Sequence, residues 1–236
     1  MARRTKGRRA GGKAETEGPP RRAKRSRRTS PKASKAYASA SSAGEAGSIE
    51  QAAVAAALTL AEGGPWARVT LGDIAAEAGI PLARLMQEFS SKTAVLGAFQ
   101  RGIDRILLEA GEVGEGSARD RLFELLMRRL EALRPHRKAL ASIAAAAPQD
   151  PLGVVCGWSR LLHSMSMTVA LAGISAEGLP GLIRAKGLAV VYGSVLPVFW
   201  RDESADLSRT MAALDDRLQR IETILTWLKG RSRAEA

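Results

Sequence analysis

Thr70-Leu-Gly-Asp-Ile-Ala-Ala-Glu-Ala-Gly-Ile-Pro-Leu-Ala-Arg-Leu-Met-Gln-Glu-Phe89 is the stretch that decides the fold. Thr70 with Asp73 three residues on has the spacing of a capping box, so a helix starts there. That helix covers Leu71–Ala78 and places Ile74 and Ala75 inward. Gly79 permits a sharp turn, and Ile80 plugs the elbow. Pro81 suits the first turn of a second short helix, which ends at Phe89. Leu82, Leu85 and Phe89 form its inner stripe. Two short helices held this way make a helix-turn-helix, whose second helix can enter a major groove. An ordinary helical corner has the same spacing.

Outward from this unit the periodicity stays helical, punctuated by Gly and Pro. Aromatic residues are 4% of the chain, and nothing alternates with a period of two. The expected class is all-α. A helix from Ser48 to Glu62 ends at Gly63-Gly64-Pro65. After Phe89, Ser90 or Ser91 caps a long helix from Lys92 to about Ala110. Gly111 to Gly116 is a break between helices, and a phosphate-cradling loop is the weaker reading, since no strand precedes it. Longer helices follow over Ser117–Leu133, Pro135–Ala147, Leu152–Ile174, Leu179–Trp200 and Asp206–Leu228. The expected organisation is a tail over 1–46, a three-helix helix-turn-helix domain over 47–110 and a helical bundle over 117–229.

In the last helix, Leu207, Met211, Leu214, Leu218, Ile221, Leu225 and Leu228 step by four and three, an unbroken heptad seam. Such a seam packs within one chain or between two. Leu214, Leu218, Ile221 and Leu225 are therefore candidate homodimer contacts. The preceding helix, Leu179–Trp200, belongs to the same expected interface, because Gly181, Gly187 and Gly193 let helices approach closely.

Charge is distributed unevenly. Residues 1–35 hold 14 Lys and Arg against two acids, while the rest of the chain balances 22 bases against 22 acids. The whole net charge of +12 thus sits in residues 1–35. Arg3, Arg4, Arg21, Arg22, Lys24, Arg25, Arg27 and Arg28 are its candidate phosphate contacts, with salt-dependent affinity. Residues 2–48 lack Val, Ile, Leu, Met and Phe, so the tail is expected to be disordered. It lacks the apolar helix face of a transit peptide and the apolar stretch of a secretory signal. Cys156 is the single cysteine, which excludes an internal disulfide and fits a cytoplasmic, nucleoid-associated protein. The longest uncharged run, Leu161–Ala176, is too short to span a membrane. With two histidines and one cysteine, no metal set, cofactor motif or nucleophile–base arrangement can be assembled. Asp215-Asp216 lies off the seam on a solvated face. The chain reads as a non-enzyme with no cofactor.

Ser48 through about Ala98 resembles the DNA-binding domain of TetR-type transcriptional regulators. The counterparts are Gly63-Gly64, Val69-Thr70, Ile74-Ala75, Ala78-Gly79-Ile80-Pro81, Phe89 and Ser91-Lys92. The resemblance implies a dimer on double-stranded DNA, with an effector pocket in the C-terminal domain. It implies phosphate contacts for Thr70 and Lys92. Arg84 and Gln87 stand where base-reading side chains project, beside Pro81, and both types read base edges. Met86 departs from a usual Tyr, and Glu88 from an aromatic or neutral residue. Residues 46–100 carry three bases against five acids, so the basic tail would supply the missing charge.

The stretch Arg184–Ser194, with Phe199–Asp202 and Leu214–Leu218, is similar to the end of the ubiquinone-biosynthesis lipid-binding family. That family shares the fold, holds isoprenoid lipid and does not act on DNA. This second resemblance implies a pocket for something long and apolar. Trp158, His163, Met165 and Met167, on the apolar helix Leu152–Ile174, are the candidate pocket residues, with core packing as their other reading.

Overall fold

The computed structural model describes residues 31–111 and 113–234, with side chains over 47–111 and 113–221. Among these residues there are nine α-helices and no strand. The helices are α1 Pro31–Gly63, α2 Leu71–Glu77, α3 Leu82–Glu88, α4 Lys92–Glu109, α5 Ala118–Leu133, α6 Arg137–Ala146, α7 Pro151–Leu171, α8 Gly178–Arg201 and α9 Ser208–Ala234. Short 3-10 turns precede α2 at Trp66–Arg68 and flank α6 at Arg134–His136 and Ala147–Gln149.

The main departure from expectation is at α1. The sequence reading leaves 1–46 as disordered tail, yet helix continues back to Pro31. The physical reason is propensity: the segment after Pro31 is rich in Ala, and Pro is pre-set for the first helical position. A helix needs no apolar face to satisfy its own backbone. Arg3, Arg4, Arg21, Arg22, Lys24, Arg25, Arg27 and Arg28 lie outside the described residues.

Two apolar clusters organise the rest. One joins α1 to α4 through Ala57, Trp66, Ile74, Leu85, Phe89 and Val95, and receives Ala139, Ile143 and Ala146 from α6. The other fills the bundle with Leu126, Leu130, Met165, Val195, Phe199 and Leu214. Phe99 of α4 packs against both. Each large side chain sealed this way contributes roughly 1.5–3 kcal/mol relative to exposure.

The seam of α9 faces this second cluster. Leu214 is fully buried and Leu218 nearly so, while Ile221 is half-buried against the same core. Leu214, Leu218 and Ile221 thus pack on α5 and α8 of their own chain. The Leu225 side chain lies outside the described residues. Gly181 is likewise used internally, because a Cβ there would meet the Ala176 backbone at 2.1 Å.

A polar lock sets the corner between α8 and α9. Buried Asp202 accepts from the Thr210 N–H at 2.8 Å and its hydroxyl at 2.7 Å, and from the Ser204 N–H at 3.1 Å and its hydroxyl. Burial alone would raise its carboxyl, but these four donors hold it well below the usual carboxylate range. Leu207, in the same corner, has φ 55° and is 1% exposed. A positive φ is costly for Leu, and full burial of its side chain offsets that cost.

Candidate functional site

The helix-turn-helix is closed by short-range bonds. Thr70 Oγ1 accepts from the Asp73 N–H at 3.2 Å, and Asp73 accepts in return from the Thr70 N–H at 2.8 Å and its hydroxyl at 2.7 Å. The side-chain and backbone bonds from Thr70 hold the Asp73 carboxyl below its ordinary value. At the other end of α2, Gly79 takes φ 66°. The Ile80 N–H then reaches Ala75 O at 2.9 Å and the Gly79 N–H reaches Ala76 O at 3.2 Å. This pair of bonds is the Schellman closure that Gly makes accessible.

Helix α3 buries Leu85 and Phe89. Leu82 is 44% exposed and Met86 60% exposed, so Leu82 leaves the inner stripe that its spacing suggests. It stands a full turn before Leu85 would repeat it, at the first position of the helix. Pro81, Arg84 and Gln87 are exposed. The Arg84 guanidinium donates to Gln87 Oε1 at 2.8 Å, so the two candidate base readers meet on one face.

Thr70 and Lys92, the candidate phosphate contacts, each have partners within the chain. Thr70 is committed to Asp73. The Lys92 ammonium donates to the carbonyls of Trp66 at 3.0 Å, Ala67 at 3.3 Å and Val69 at 2.9 Å, and stands 5.2 Å from the Trp66 ring centre. All three of its donors are occupied. Lys92 thereby fastens α4 to the turn that leads into α2. Ser142 of α6 fastens the same turn from the other side. It accepts from the Trp66 N–H at 3.2 Å and donates to Gly64 O at 2.9 Å.

Behind this junction lies a cavity of about 850 Å³. Leu96 and Phe99 of α4, Leu133 of α5, Leu140 and Ile143 of α6 and Leu161 of α7 give it an apolar wall. Trp66 of the turn before α2, with Ser91, Lys92 and Thr93 at the start of α4, also lines it. Arg129 and Arg160 also line it.

The pocket residues expected from sequence are elsewhere. None of Trp158, His163, Met165 and Met167 lines the cavity. Trp158 and His163 are exposed, Met167 is half-buried, and Met165 is fully buried in the bundle core. Helix α7 instead presents Leu152, Gly153, Cys156, Gly157, Arg160 and Leu161 to the cavity. These recur at one helical face. Small Gly and Cys residues in step with Arg160 were the signal available in the sequence. Among the described residues, no group of three or more His, Cys, Asp or Glu is placed to hold a metal ion.

Comparison with solved structures fixes the architecture. A TetR transcriptional regulator from Nitrosomonas europaea ATCC 19718 matches with a TM-score of 0.60 at 23% identity, over 73% of this chain and 97% of that one. A second, from Rhodococcus sp. RHA1, matches with a TM-score of 0.54 at 20% identity, over 74% and 97%. The fold is that of TetR regulators. Neither a family model nor a curated protein sequence matches the chain. Within the TetR fold, α2 and α3 form the helix-turn-helix, and α4 connects it to the cavity.

A further apolar surface lies on α8. Leu179, Leu182, Ile183 and Val190 are 41–70% exposed along it. By length and composition α8 is apolar enough to cross a membrane. It also buries Ala185, Leu188, Val191, Tyr192, Val195 and Phe199 in the bundle, as a core helix does.

Proposed function

We propose that the chain is a ligand-responsive transcriptional regulator that binds double-stranded DNA as a homodimer in the cytoplasm, associated with the nucleoid. The observation that carries this reading is the exposed Arg84–Gln87 pair on α3 of a helix-turn-helix. In this reading 47–110 reads DNA and 117–229 binds the effector and pairs the subunits. The basic tail, 1–46, adds sequence-independent affinity. The exposed stripe Leu179, Leu182, Ile183 and Val190 of α8, a helix already expected in the interface beside the α9 seam, is the surface for a second copy. A small apolar effector occupies the cavity, and its wall at Trp66, Ser91 and Lys92 connects it to the seating of α2. The protein acts without catalysis, metal or cofactor.

The test is selection of bound sequences from a random DNA pool, followed by binding titrations. Arg84→Ala and Gln87→Ala should each narrow the gap between selected and random DNA by about 1–3 kcal/mol. Deleting residues 2–35 should weaken both and flatten the dependence of log K on log salt. A chain that selects no sequence and ignores salt refutes the reading.

A lipid-binding accessory role in ubiquinone biosynthesis is the second reading. The exposed Leu82 and Met86 on α3 favour it, because an apolar, acid-flanked helix suits a protein partner or membrane surface better than DNA. Isoprenoid co-purifying with a protein that selects no DNA would establish it.

A further inference from the structure

Four charged side chains line the cavity: Lys92, Arg129, Arg160 and Asp150. Three are already committed. Lys92 holds three carbonyls. Asp150 caps α7, accepting from the Gly153 N–H at 2.8 Å. Arg129 is 3% exposed and pairs with Asp104 at 2.6 Å, with Ser164 at 2.7 Å closing the triad. Even so, the buried Nε of Arg129 has no hydrogen-bond partner.

Arg160 is the exception. Among the described residues it makes no ion pair, and its hydrogen bond is a long one, 3.3 Å from Nη1 to Thr93 O. It is half-buried. Its guanidinium lies against Gly97 of α4, where a Cβ would meet Nε at 2.8 Å and Cζ at 3.0 Å. The absence of a side chain at Gly97 gives the guanidinium its berth. A guanidinium has five donors in a planar fork matched to a carboxylate. Here it stands at an apolar wall with most of those donors unused. A carboxylate entering the cavity would give this half-buried cation the counter-charge it lacks.

We infer that the cavity takes an amphiphile with an apolar body and one anionic head group, a carboxylate held by the Arg160 guanidinium, its tail lying along Leu140, Ile143 and Leu161. This deepens the effector reading of the cavity and rests on it. Neutral isoprenoids satisfy the apolar wall and leave Arg160 unanswered; cations meet Arg160 as a like charge.

Calorimetric titration of the full chain, without DNA, with decanoate, 1-decanol and decyltrimethylammonium tests this. All three share the tail and differ in the head. Decanoate should bind at least about tenfold more tightly than 1-decanol, and the ammonium not measurably, as expected for a hydrogen-bonded charge pair. Arg160→Gln should weaken decanoate by about ten- to a hundredfold and leave 1-decanol within about twofold. Arg160→Lys should recover part of the loss. Thermal melting checks that each variant is folded, and the three-ligand comparison on the unaltered chain decides the matter if one is not. Equal affinity for decanoate and decanol, no decanoate binding, or full decanoate affinity in a folded Arg160→Gln overturns the inference. A chain that binds decanoate but selects no DNA refutes the regulator reading alone; one that selects DNA but ignores decanoate refutes only the ligand class.

Discussion

The helix-turn-helix and the cavity behind it treat their polar groups in opposite ways. In the first, Thr70 and Asp73 answer each other three residues apart, and Lys92 spends every donor on carbonyls of the turn before α2. In the second, Arg160 and the Arg129 Nε are left with capacity to spare. In the proposed reading, a unit that presents a fixed helix has its polar groups answered within the protein. A unit that receives something does not. In the regulator reading proposed above, pre-organisation belongs to the first region and recognition to the second.

The sharpest way to break the contrast is on the cavity wall itself, where two arginines stand in different states. Arg129→Met strands the Asp104 carboxylate and Ser164 in a largely buried site, and should cost about 3–5 kcal/mol in chemical denaturation. Arg160→Met has no carboxylate to strand, and should stay within about 1 kcal/mol of the unaltered protein. Equal losses would mean that Arg160 is structural and the cavity is as closed as the helix-turn-helix.

This difference also governs what could be read from the sequence. Capping boxes, the glycine turn and the buried Leu85 and Phe89 are local, set by spacings of three and four, so the two short helices were legible almost to the residue. The cavity is assembled from α4 to α8, and no local spacing says which face of α7 meets α4. Periodicity therefore marked α7 as apolar and picked Trp158, His163, Met165 and Met167, which face other ways. The α9 seam shows the same limit. Its heptads were plain, but whether they pack inward or on a second chain depends on where α5 and α8 lie. At α1 the failure was different: lack of apolar residues argued against burial, and helix does not require burial.

The α8–α9 corner sharpens the comparison, because it is closed like the helix-turn-helix but buried like the cavity. Asp202→Ala removes the acceptor for two N–H groups and two hydroxyls. The loss should be about 3 kcal/mol near neutral pH. Because the folded carboxyl lies below its unfolded value, its contribution is complete above the unfolded value of about 4 and is lost as pH falls. The variant should therefore show a flatter decline of stability on acidification. An unchanged acid profile would place the lock's energy elsewhere.

Lys92 separates two accounts of the turn before α2. Lys92→Met should cost about 1.5–2 kcal/mol of stability by releasing the turn at Trp66–Arg68. Affinity for selected and random DNA should fall together as α2 and α3 lose their seat. The slope of log K against log salt should stay unchanged, because the ammonium is on carbonyls. A slope shallower by about 0.9 would mean that Lys92 leaves those carbonyls for a phosphate when DNA binds.

The smallest effect belongs to Thr70, and its size is the point. Thr70→Ala should cost about 1 kcal/mol, the ordinary loss of a helix cap. The box is exposed, so water replaces the lost bond on the Asp73 N–H and no buried group is stranded. Thr70 also holds the Asp73 carboxyl below its ordinary value. Losing the hydroxyl should bring that carboxyl back toward the ordinary range. The box stabilises α2 above the unfolded carboxylate value and fades as pH falls, so the variant should lose less on acidification than the unaltered chain. DNA selectivity should persist, because Gly79, Ile80 and Leu85 still fix the angle between α2 and α3. Loss of selectivity with stability intact would instead give Thr70 a direct contact with DNA, and the helix-turn-helix would no longer be the region whose polar groups are answered within the protein.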